Sequence, residues 1–228
     1  MKLLKIYKNF IFREFRKQYN NYHFFDAIPK FDNLFEVGVG LGEENFLYEN
    51  NKFNNYYLVE PNKQLFDIAL NKFKKRNNFY LFNIAASNKK ERKTFYNNTT
   101  GSSFYLKNKK LPKTLVNCDK LDSIIEEKVY IKKKNFLKID TEGHDLQVLL
   151  GAKKLLKHVH LIMLEVSTLR RFEYKSYNLV DIMAFLSKSN FKNLFIMNVG
   201  RILNNKYIRY LDIIFVKKRY YKYYCSIL

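Results

Sequence analysis

Short apolar runs alternate with longer stretches of helical periodicity along most of the chain. The runs "LFEVG" (34–38), "NYYLVEP" (55–61) and "NFYLFNIAAS" (78–87) predict three strands. A helix is expected to begin near Glu43, and "NKQLFDIALNKFKKR" (62–76) carries apolar residues at helical spacing. Strands that alternate with helices are typical of β-α-β units, so the pattern predicts an α/β fold with a largely parallel sheet.

The stretch 88–120 interrupts this alternation. The segments "RKTFYNN" (92–98) and "SSFYLKNKKLPKTLV" (102–116) are short strand-like runs joined by polar turns, without the periodicity of a crossover helix. We therefore expect a β-rich excursion here. Because loops at the edge of a sheet vary without disturbing its core, this excursion is a candidate for selecting the substrate.

The alternation resumes in the second half of the chain. "NFLKID" (135–140) and "VHLIMLEVS" (159–167) predict strands, and "HDLQVLLGAKKLLKH" (144–158) predicts one helix between them. A further helix over about 179–189 precedes two apolar runs, "FKNLFIMN" and "YLDIIFVKK", which predict a final hairpin within 191–218. At 228 residues, the chain has the length of a single domain.

The first 20 residues, "MKLLKIYKNFIFREFRKQYN", combine apolar and basic positions in the manner of an amphipathic helix. Such a helix could lie on an anionic membrane or cover one face of the core, and both interpretations stay open. We predict a basic helical extension over 1–30, a main domain over 31–218 and a basic aromatic tail over 219–228.

The charge balance is strongly basic, with 42 Lys and Arg against 21 Asp and Glu, or +21. Such a charge suggests a polyanionic partner. However, the lysines are scattered, and abundant Asn, Phe, Tyr and Ile without Trp is the bias expected of AT-rich coding DNA, so the charge also fits compositional drift.

The two cysteines and the apolar runs favour a cytoplasmic protein. Cys118 and Cys225 lie far apart and form neither a C-x-x-C motif nor a metal-binding spacing, which fits a reducing compartment. No apolar run approaches the roughly 18 residues that span a bilayer, and the basic start lacks a small-residue cleavage site.

Three of the seven glycines, Gly38, Gly40 and Gly42, fall within five residues at the end of the predicted first strand. Open parallel sheets bind ligands at this edge, where bare backbone and free N–H groups let a carboxylate or phosphate approach. Glu60 follows 18 residues after Gly42, at the end of the second strand. A carboxylate in that position accepts hydrogen bonds from ribose hydroxyls, so these residues predict a nucleoside site.

Five blocks resemble, in order and spacing, the FkbM family of methyltransferases: "FEVGVGLGEE", "LVEPNKQLFDIAL", "NIAAS", "TGSSFYL" and "FLKIDTEGHDLQVLLGA". The resemblance covers roughly 33–217. It implies a Rossmann-like, doubly wound, mostly parallel sheet with a C-terminal antiparallel strand, and S-adenosyl-L-methionine as the cofactor. It also implies O-methylation of a hydroxyl on a glycan or other small molecule.

The resemblance also implies which residues bind the cofactor. Glu36 and the glycines would hold its methionine part, Glu60 its ribose and Asn83 its adenine. The full implied set is Glu36, Gly38, Gly40, Gly42, Glu60, Asn83 and Asp140. Two positions depart from the family, whose motif usually begins with Asp and has another residue in place of Gly40, so the path of the loop stays open.

The block "DTEGHD" supplies the catalytic candidates implied by the resemblance, and Glu165 at the end of a later strand joins them. The candidates are Asp140, Glu142, His144 and Glu165. The unperturbed pKa of His144, near 6.5, suits a general base, but this residue could equally hold the start of a helix. Ser102 and Ser103 match a family position near the site or form a polar turn. The spacing does not establish metal ligation, and no metal is predicted.

Two other functions remain open. The charge and the many aromatic residues would suit an RNA methyltransferase, because lysines contact phosphates and rings stack on bases. A non-enzymatic nucleotide-binding module on the same fold is the third hypothesis. No N-P-P-Y type motif follows the fourth strand of the predicted sheet, and the "KIDTEGHD" block favours a small-molecule or glycan acceptor.

Overall fold

The strands and helices alternate in the structure as the sequence predicts. The computed structural model describes residues 23–49, 51–98, 101–105, 110–167, 178–202 and 207–228. Its strands are β1 (Phe31–Val37), β2 (Phe53–Val59), β3 (Phe79–Phe82), β4 (Ala85–Ser87), β5 (Glu91–Tyr96), β6 (Lys113–Lys120), β7 (Asn135–Ile139), β8 (Val159–Ser167), β9 (Phe191–Ile202) and β10 (Tyr207–Lys217). Its helices are α1 (His23–Ala27), α2 (Asn45–Tyr48), α3 (Lys63–Phe73), α4 (Leu121–Ile124), α5 (Glu127–Tyr130), α6 (Asp145–Leu150), α7 (Leu179–Lys188) and α8 (Tyr221–Ile227).

Seven of these strands form the main sheet, in the order β3-β2-β1-β7-β8-β10-β9. β1 pairs in parallel with β2 and β7, and the pairs β2–β3 and β7–β8 are also parallel. β10 is antiparallel to both β8 and β9, which confirms the final hairpin and the antiparallel strand near the C-terminus. After β3 the chain returns to the other side of β1. The strand order therefore reverses between β1 and β7, where open α/β sheets bind ligands.

Alternate residues of the central strands face two apolar layers, as the period of a strand requires. In β1, Phe35 and Val37 pack in one buried cluster, whereas Leu34 packs in the other. Helices α6 and α7 contribute to the first cluster, and α1, α3 and α8 contribute to the second. Both faces of the sheet are therefore covered, which confirms the doubly wound, Rossmann-like class.

The β-rich excursion is confirmed as a separate three-stranded sheet in the order β4-β6-β5. Within it, β4 pairs in parallel with β6, and β5 pairs antiparallel with β6. An isolated bridge between Tyr96 and Ser103 extends it toward the carboxyl end of the main sheet. We call β4, β5 and β6, together with the segment 101–105, the small sheet.

The prediction of one strand over 78–87 is wrong. The segment splits into β3, at the edge of the main sheet, and β4, in the small sheet. The side-chain amide of Asn83 donates hydrogen bonds to the carbonyl oxygens of Glu60 (2.9 Å) and Pro61 (3.3 Å). These bonds hold the chain at the end of β2, and the residues after Asn83 turn away.

The predicted helix over 144–158 also differs, because α6 ends at Leu150 and a 3₁₀ turn follows at Leu155–Lys157. A Cβ on Gly151 would lie 1.8 Å from the carbonyl oxygen of Ser87, so the chain passes close to β4 at this point. The Asp122 carboxylate then accepts hydrogen bonds from the backbone N–H groups of Lys154 and Leu155 and starts the new turn. The helix expected near Glu43 is the single turn α2.

The ends of the chain leave several predictions open. The amphipathic helix predicted over 1–20 lies outside the described residues. At the other end, α8 packs on the core with Tyr224 buried. Among the described residues, no helix combines the length and apolar character needed to cross a membrane. The domain bounds, the cytoplasmic location and the contact with anionic lipid stay predictions.

Candidate active site

The glycine loop joins β1 to α2 with three residues in left-handed conformations. Gly38 has φ +88° and donates its N–H to the carbonyl oxygen of Val59 at 2.9 Å. A Cβ there would lie 1.8 Å from the carbonyl oxygen of Asp140, so only glycine fits between the ends of β1 and β7. Gly40, with φ +57°, has no atom within 4 Å of a Cβ position, which leaves its backbone open to a ligand.

Glu60 lies beside this loop at the end of β2, as the sequence predicts. Its side chain is buried and accepts hydrogen bonds from the backbone N–H groups of Gly40 (2.9 Å) and Asn62 (2.8 Å). Burial raises the pKa of this carboxyl to about 7, although those hydrogen bonds oppose the shift. Asn62 also caps α3 by accepting from the N–H groups of Gln64 and Leu65. Asn62 thus connects the Glu60 carboxylate to the start of α3.

A cavity of about 360 Å³ opens between the glycine loop, the ends of β2 and β7, and the small sheet. Its lining includes Gly38, Gly40, Glu60, Phe104, Asp140 and His144. Ser102, a candidate from the sequence, also lines it and accepts hydrogen bonds from the Asn62 side chain (3.2 Å) and the Asn98 N–H (2.9 Å). Three predicted cofactor residues, Glu36, Gly42 and Asn83, are not among the residues that line the cavity.

Glu36 is fully buried beneath the loop. It accepts a hydrogen bond from the Tyr48 hydroxyl at 2.6 Å and one from the Lys138 ammonium at 3.0 Å. Burial raises the pKa of Glu36, and the charge of Lys138 opposes that rise. The structure therefore uses Glu36 to connect β1 with α2 and β7. Any effect of Glu36 on the cofactor would therefore be indirect, through Tyr48 and Lys138.

Lys138 is a buried residue of this site that the sequence reasoning missed. Besides Glu36, its ammonium contacts Glu44 at 2.7 Å and Asp140 at 3.8 Å. Burial lowers the pKa of Lys138, but these carboxylates hold it well above its usual value. A lysine inside the apolar strand "NFLKID" was a signal, because a buried charge requires a partner.

Asp140, at the end of β7, lines both the main cavity and a recess of about 50 Å³ beside it. Burial raises the pKa of its carboxyl to about 8; Lys138 lowers it, whereas Glu142 and Glu44 raise it further. Residues from β8 and β10 line the same recess. The full lining is Glu44, Phe46, Lys138, Asp140, Met163, Glu165, Met197 and Asp212.

Glu165 and Asp212 face each other on the paired strands β8 and β10. Burial raises the pKa of Glu165 to about 9, with Asp140 and Asp212 adding to the rise, and raises that of Asp212 to about 6. Asp212 accepts a hydrogen bond from the Asn198 side chain at 3.0 Å. The structure thus places Glu165 and Asp140 along the same recess, as expected of two residues at one rim of the sheet. Asp212 is a third carboxyl group in this recess. Within the described ranges, no His, Cys, Asp and Glu group is arranged to hold a metal ion.

The turn after β7 carries Glu142 and Gly143, both with positive φ, of +50° and +102°. The Asp145 carboxylate accepts hydrogen bonds from the Thr141 N–H (3.2 Å) and hydroxyl (2.7 Å). From the small sheet, the buried Ser103 hydroxyl donates to the carbonyl oxygen of Glu142 at 2.8 Å. Glu142 therefore sits on a turn fixed from both sides, and it lines the cavity.

His144 follows this turn and occupies the N-cap position of α6, although its side chain makes no capping hydrogen bond. The imidazole is buried, and each ring nitrogen has a hydroxyl partner: Ser87 Oγ lies 3.0 Å from Nε2 and the Tyr105 hydroxyl lies 2.9 Å from Nδ1. Burial lowers the pKa of His144 to about 3, and the charge of Lys93 lowers it further. These surroundings differ from those of a base poised near neutral pH.

Comparisons with known proteins agree with this geometry. The family model for the methyltransferase FkbM domain matches residues 36–193. The structure resembles a methyltransferase FkbM from Methylobacillus flagellatus KT, with 16% identity, a TM-score of 0.50, and coverage of 80% of this chain and 43% of that chain. The present chain thus spans less than half of that protein. No curated protein matches the sequence.

Two streptococcal structures share the fold. One is Sp1610 of Streptococcus pneumoniae, described as a candidate tRNA (m1A22) methyltransferase, with 11% identity, a TM-score of 0.52, and coverage of 85% of this chain and 67% of that chain. The other, from Streptococcus agalactiae, belongs to the NADB-Rossmann superfamily, with 14% identity, a TM-score of 0.51, and coverage of 87% and 67%. At these identities, the likeness establishes the fold alone.

Proposed function

Because the chain belongs to the FkbM methyltransferase family, whose cofactor is S-adenosyl-L-methionine, we propose that it transfers the methyl group of that cofactor to a hydroxyl. The acceptor in this proposal is a glycan or another small molecule. The observation that carries it is the joint placement of an open glycine loop and a buried carboxylate at the ends of β1 and β2.

The donor cavity, as we call the 360 Å³ space beside the loop, fits such a cofactor. Its volume lies within the roughly 300–1,000 Å³ of small-molecule sites. The bare backbone of Gly40 can approach the amino-acid part of a ligand. The Glu60 carboxylate accepts from the backbone N–H groups of Gly40 and Asn62, and Val39 is a further backbone partner, so its remaining lone-pair capacity can take a ribose hydroxyl.

When bound, the cofactor supplies an activated methyl group and a positive charge. The chain has to hold the acceptor oxygen in line and remove its proton, and positioning alone can supply roughly 7–11 kcal/mol of a barrier. We propose that Asp140 removes the proton of the acceptor hydroxyl, because this carboxyl borders both the donor cavity and the recess. With its pKa raised to about 8, Asp140 is a stronger base than an ordinary aspartate once ionised.

Glu142 and Glu165 are the proposed partners of Asp140. Glu142 borders the donor cavity, and Glu165 borders the recess. With a pKa of about 9, Glu165 carries its proton at neutral pH and can donate a hydrogen bond to an acceptor oxygen. In this arrangement, Glu165 orients the acceptor while Asp140 takes its proton.

The charge around the recess favours a neutral hydroxyl acceptor. Its polar lining contains carboxyl groups from four segments, including Asp140, Glu165 and Asp212, with Lys138 as the one cation among the lining residues. Carboxyl groups exchange hydrogen bonds with hydroxyls, whereas the Lys138 ammonium is already paired with Glu36 and Glu44 and offers little counter-charge to a phosphate. An RNA acceptor is the second candidate. It is supported by the +21 charge and by the tRNA methyltransferase description of the pneumococcal structure, which shares only the fold.

Donor binding is tested with S-adenosylhomocysteine, which occupies the same site without reacting. The wild-type protein should bind this probe in a calorimeter. In Glu60→Gln, we expect the affinity to fall roughly tenfold or more, because a hydrogen-bonded charge is replaced by an amide. Asp67→Asn is the matched control, because Asp67 is an exposed partner of Lys63 on α3. Absence of binding by the wild type, or equal affinity in both variants, would refute this donor site.

A further inference from the structure

His144 connects the small sheet to the turn that forms one wall of the donor cavity. Its Nε2 contacts Ser87 at the end of β4, and its Nδ1 contacts the Tyr105 hydroxyl. Both partners belong to the small sheet, 57 and 39 residues away in sequence. We call this trio, Ser87, His144 and Tyr105, the imidazole bridge.

The bridge occupies both ring nitrogens. A neutral imidazole has one donor nitrogen and one acceptor nitrogen, and a hydroxyl can complement either. Ser87 and Tyr105 therefore satisfy the neutral ring completely, whichever tautomer is present. To receive a proton from an acceptor hydroxyl, His144 would have to break one of these two buried contacts, at the cost of an unsatisfied polar group.

The bridge also fixes the aromatic wall of the cavity. The Phe104 ring, adjacent in sequence to Tyr105, has its centroid 4.6 Å from that of His144. Phe104 in turn packs edge-on against Phe95 at 5.0 Å, and both rings line the donor cavity. On the opposite side, His144 continues the turn that carries Glu142. Moving the imidazole would therefore move two walls relative to each other.

We propose that His144 is a positioning residue, which fastens the small sheet across the donor cavity and sets its width, and that its ring does not take the acceptor's proton. The proposal rests on the proposed function for the identity of the donor. It assigns the small sheet to donor binding, whereas the sequence suggested a role in selecting the acceptor.

The charges around the bridge support a permanently neutral ring. The Lys93 ammonium on β5 lies 4.9 Å from the Phe104 centroid and 5.3 Å from that of Tyr105, and it disfavours an imidazolium. Burial raises the pKa of Tyr105 to about 12, with the charge of Asp145 adding to the rise, so its hydroxyl keeps its proton. Glu142, on the turn before His144, also lines the cavity.

The first test is the protonation state of the ring. NMR of imidazole-labelled protein gives one signal set for each of the four histidines, and His144→Gln assigns that of His144. We expect this signal to show no titration between about pH 5 and pH 8. A transition near pH 6–7 in the full-length protein would overturn the proposal, because the ring would then be available as a base.

The second test separates positioning from folding. Tyr105→Phe removes one hydroxyl of the bridge and keeps the ring, and we expect S-adenosylhomocysteine to bind roughly 3- to 10-fold more weakly, in line with one lost hydrogen bond. Tyr80→Phe is the control, because that side chain is exposed on β3; its affinity should equal that of the wild type. Thermal melts establish that each variant is folded at the temperature of the titration.

Ser87→Ala removes the other contact and gives an independent measurement if Tyr105→Phe does not fold. Wild-type affinity in both folded variants would overturn the positioning role. If the wild-type protein did not bind S-adenosylhomocysteine at all, the proposed donor would fail, and with it the claim about affinity. The titration of the His144 signal would still decide whether the ring is neutral.

Discussion

At the scale of single residues, the site contains more carboxyl groups than it can hold ionised. Glu165, Asp140 and Asp212 have pKa values raised to about 9, 8 and 6, chiefly by burial, and Lys138 is the nearby cation that lowers them. Each group therefore binds a proton more tightly in the folded chain than in the unfolded chain. Because folding raises these pKa values, the stability of the unliganded protein depends on pH.

The sign of that dependence follows from Glu165. Its pKa rises from 4.5 to about 9 on folding, so its contribution is complete below pH 4.5 and is lost as the pH rises through about 9. We expect the melting temperature to be lower at about pH 9 than at about pH 6, by about 8–16 °C for a loss of about 4 kcal/mol over these three pH units. In Glu165→Gln, which cannot ionise, this difference should shrink. Scanning calorimetry at both pH values measures it, and an unchanged difference would show that Glu165 does not titrate abnormally.

The residues that could be predicted are those whose role depends on local chain geometry. Gly38 and Glu60 stand at strand ends, and a strand followed by a glycine turn identifies such ends from the sequence. Lys138 and Tyr105 could not be assigned in this way, because their partners come from distant segments. The Lys138–Glu36 contact, for instance, joins residues 102 positions apart. Only the strand order of the sheet brings them together.

At the scale of elements, the ion pair between Lys138 and Glu36 fastens β7 to β1. The two residues are direct neighbours in the parallel register of these strands. Lys138 also reaches Glu44, which follows the glycine loop and precedes α2. One buried ammonium thus joins the strand that starts the loop, the segment that ends it and the strand that carries Asp140.

We expect Lys138→Met to destabilise the protein by about 3–5 kcal/mol, because removal of one partner leaves a buried carboxylate without its counter-charge. In the double variant Glu36→Gln/Lys138→Met, neither buried charge of the pair remains, so the loss should be smaller than the sum of the two single losses. Denaturant unfolding of the wild type, Lys138→Met, Glu36→Gln and the double variant measures this coupling. Strict additivity would show that the contact contributes nothing to stability. The exposed Lys63→Met serves as the control for loss of one positive charge.

Element boundaries were predicted less well than element types, for a physical reason. The strand over 78–87 splits at Asn83, and the helix over 144–158 stops after Leu150. In both places the chain meets a distant segment, the end of β2 in one case and β4 in the other. Apolar periodicity reports which face of an element is buried, but it does not report where another part of the chain cuts the element short.

At the scale of the whole molecule, the order of the elements predicted an α/β fold with a largely parallel sheet, and the resemblance to the FkbM family added the doubly wound arrangement. Alternating strands and helices can form few arrangements with right-handed crossovers and a single core. The net charge is also a property of the whole molecule, and it favours a different class of partner from the one that the site favours. The chain carries a net charge of +21, whereas carboxyl residues are four of the eight residues that line the recess beside the donor cavity.

The contrast between the basic chain and the carboxyl-lined recess predicts that the protein binds RNA but does not methylate it. We expect an RNA of random sequence to bind the protein in a filter assay, with an affinity that falls steeply as salt rises, because scattered lysines contact phosphates. Glu60→Gln should bind this RNA as the wild type does, since Glu60 is buried in the donor cavity. With S-adenosyl-L-methionine carrying a labelled methyl group, we expect no label in the RNA, because the Lys138 ammonium of the recess is already paired with Glu36 and Glu44 and offers little counter-charge to a phosphate backbone. Label that enters the RNA with the wild type and is lost with Glu60→Gln would establish RNA as the acceptor and overturn the hydroxyl small-molecule proposal.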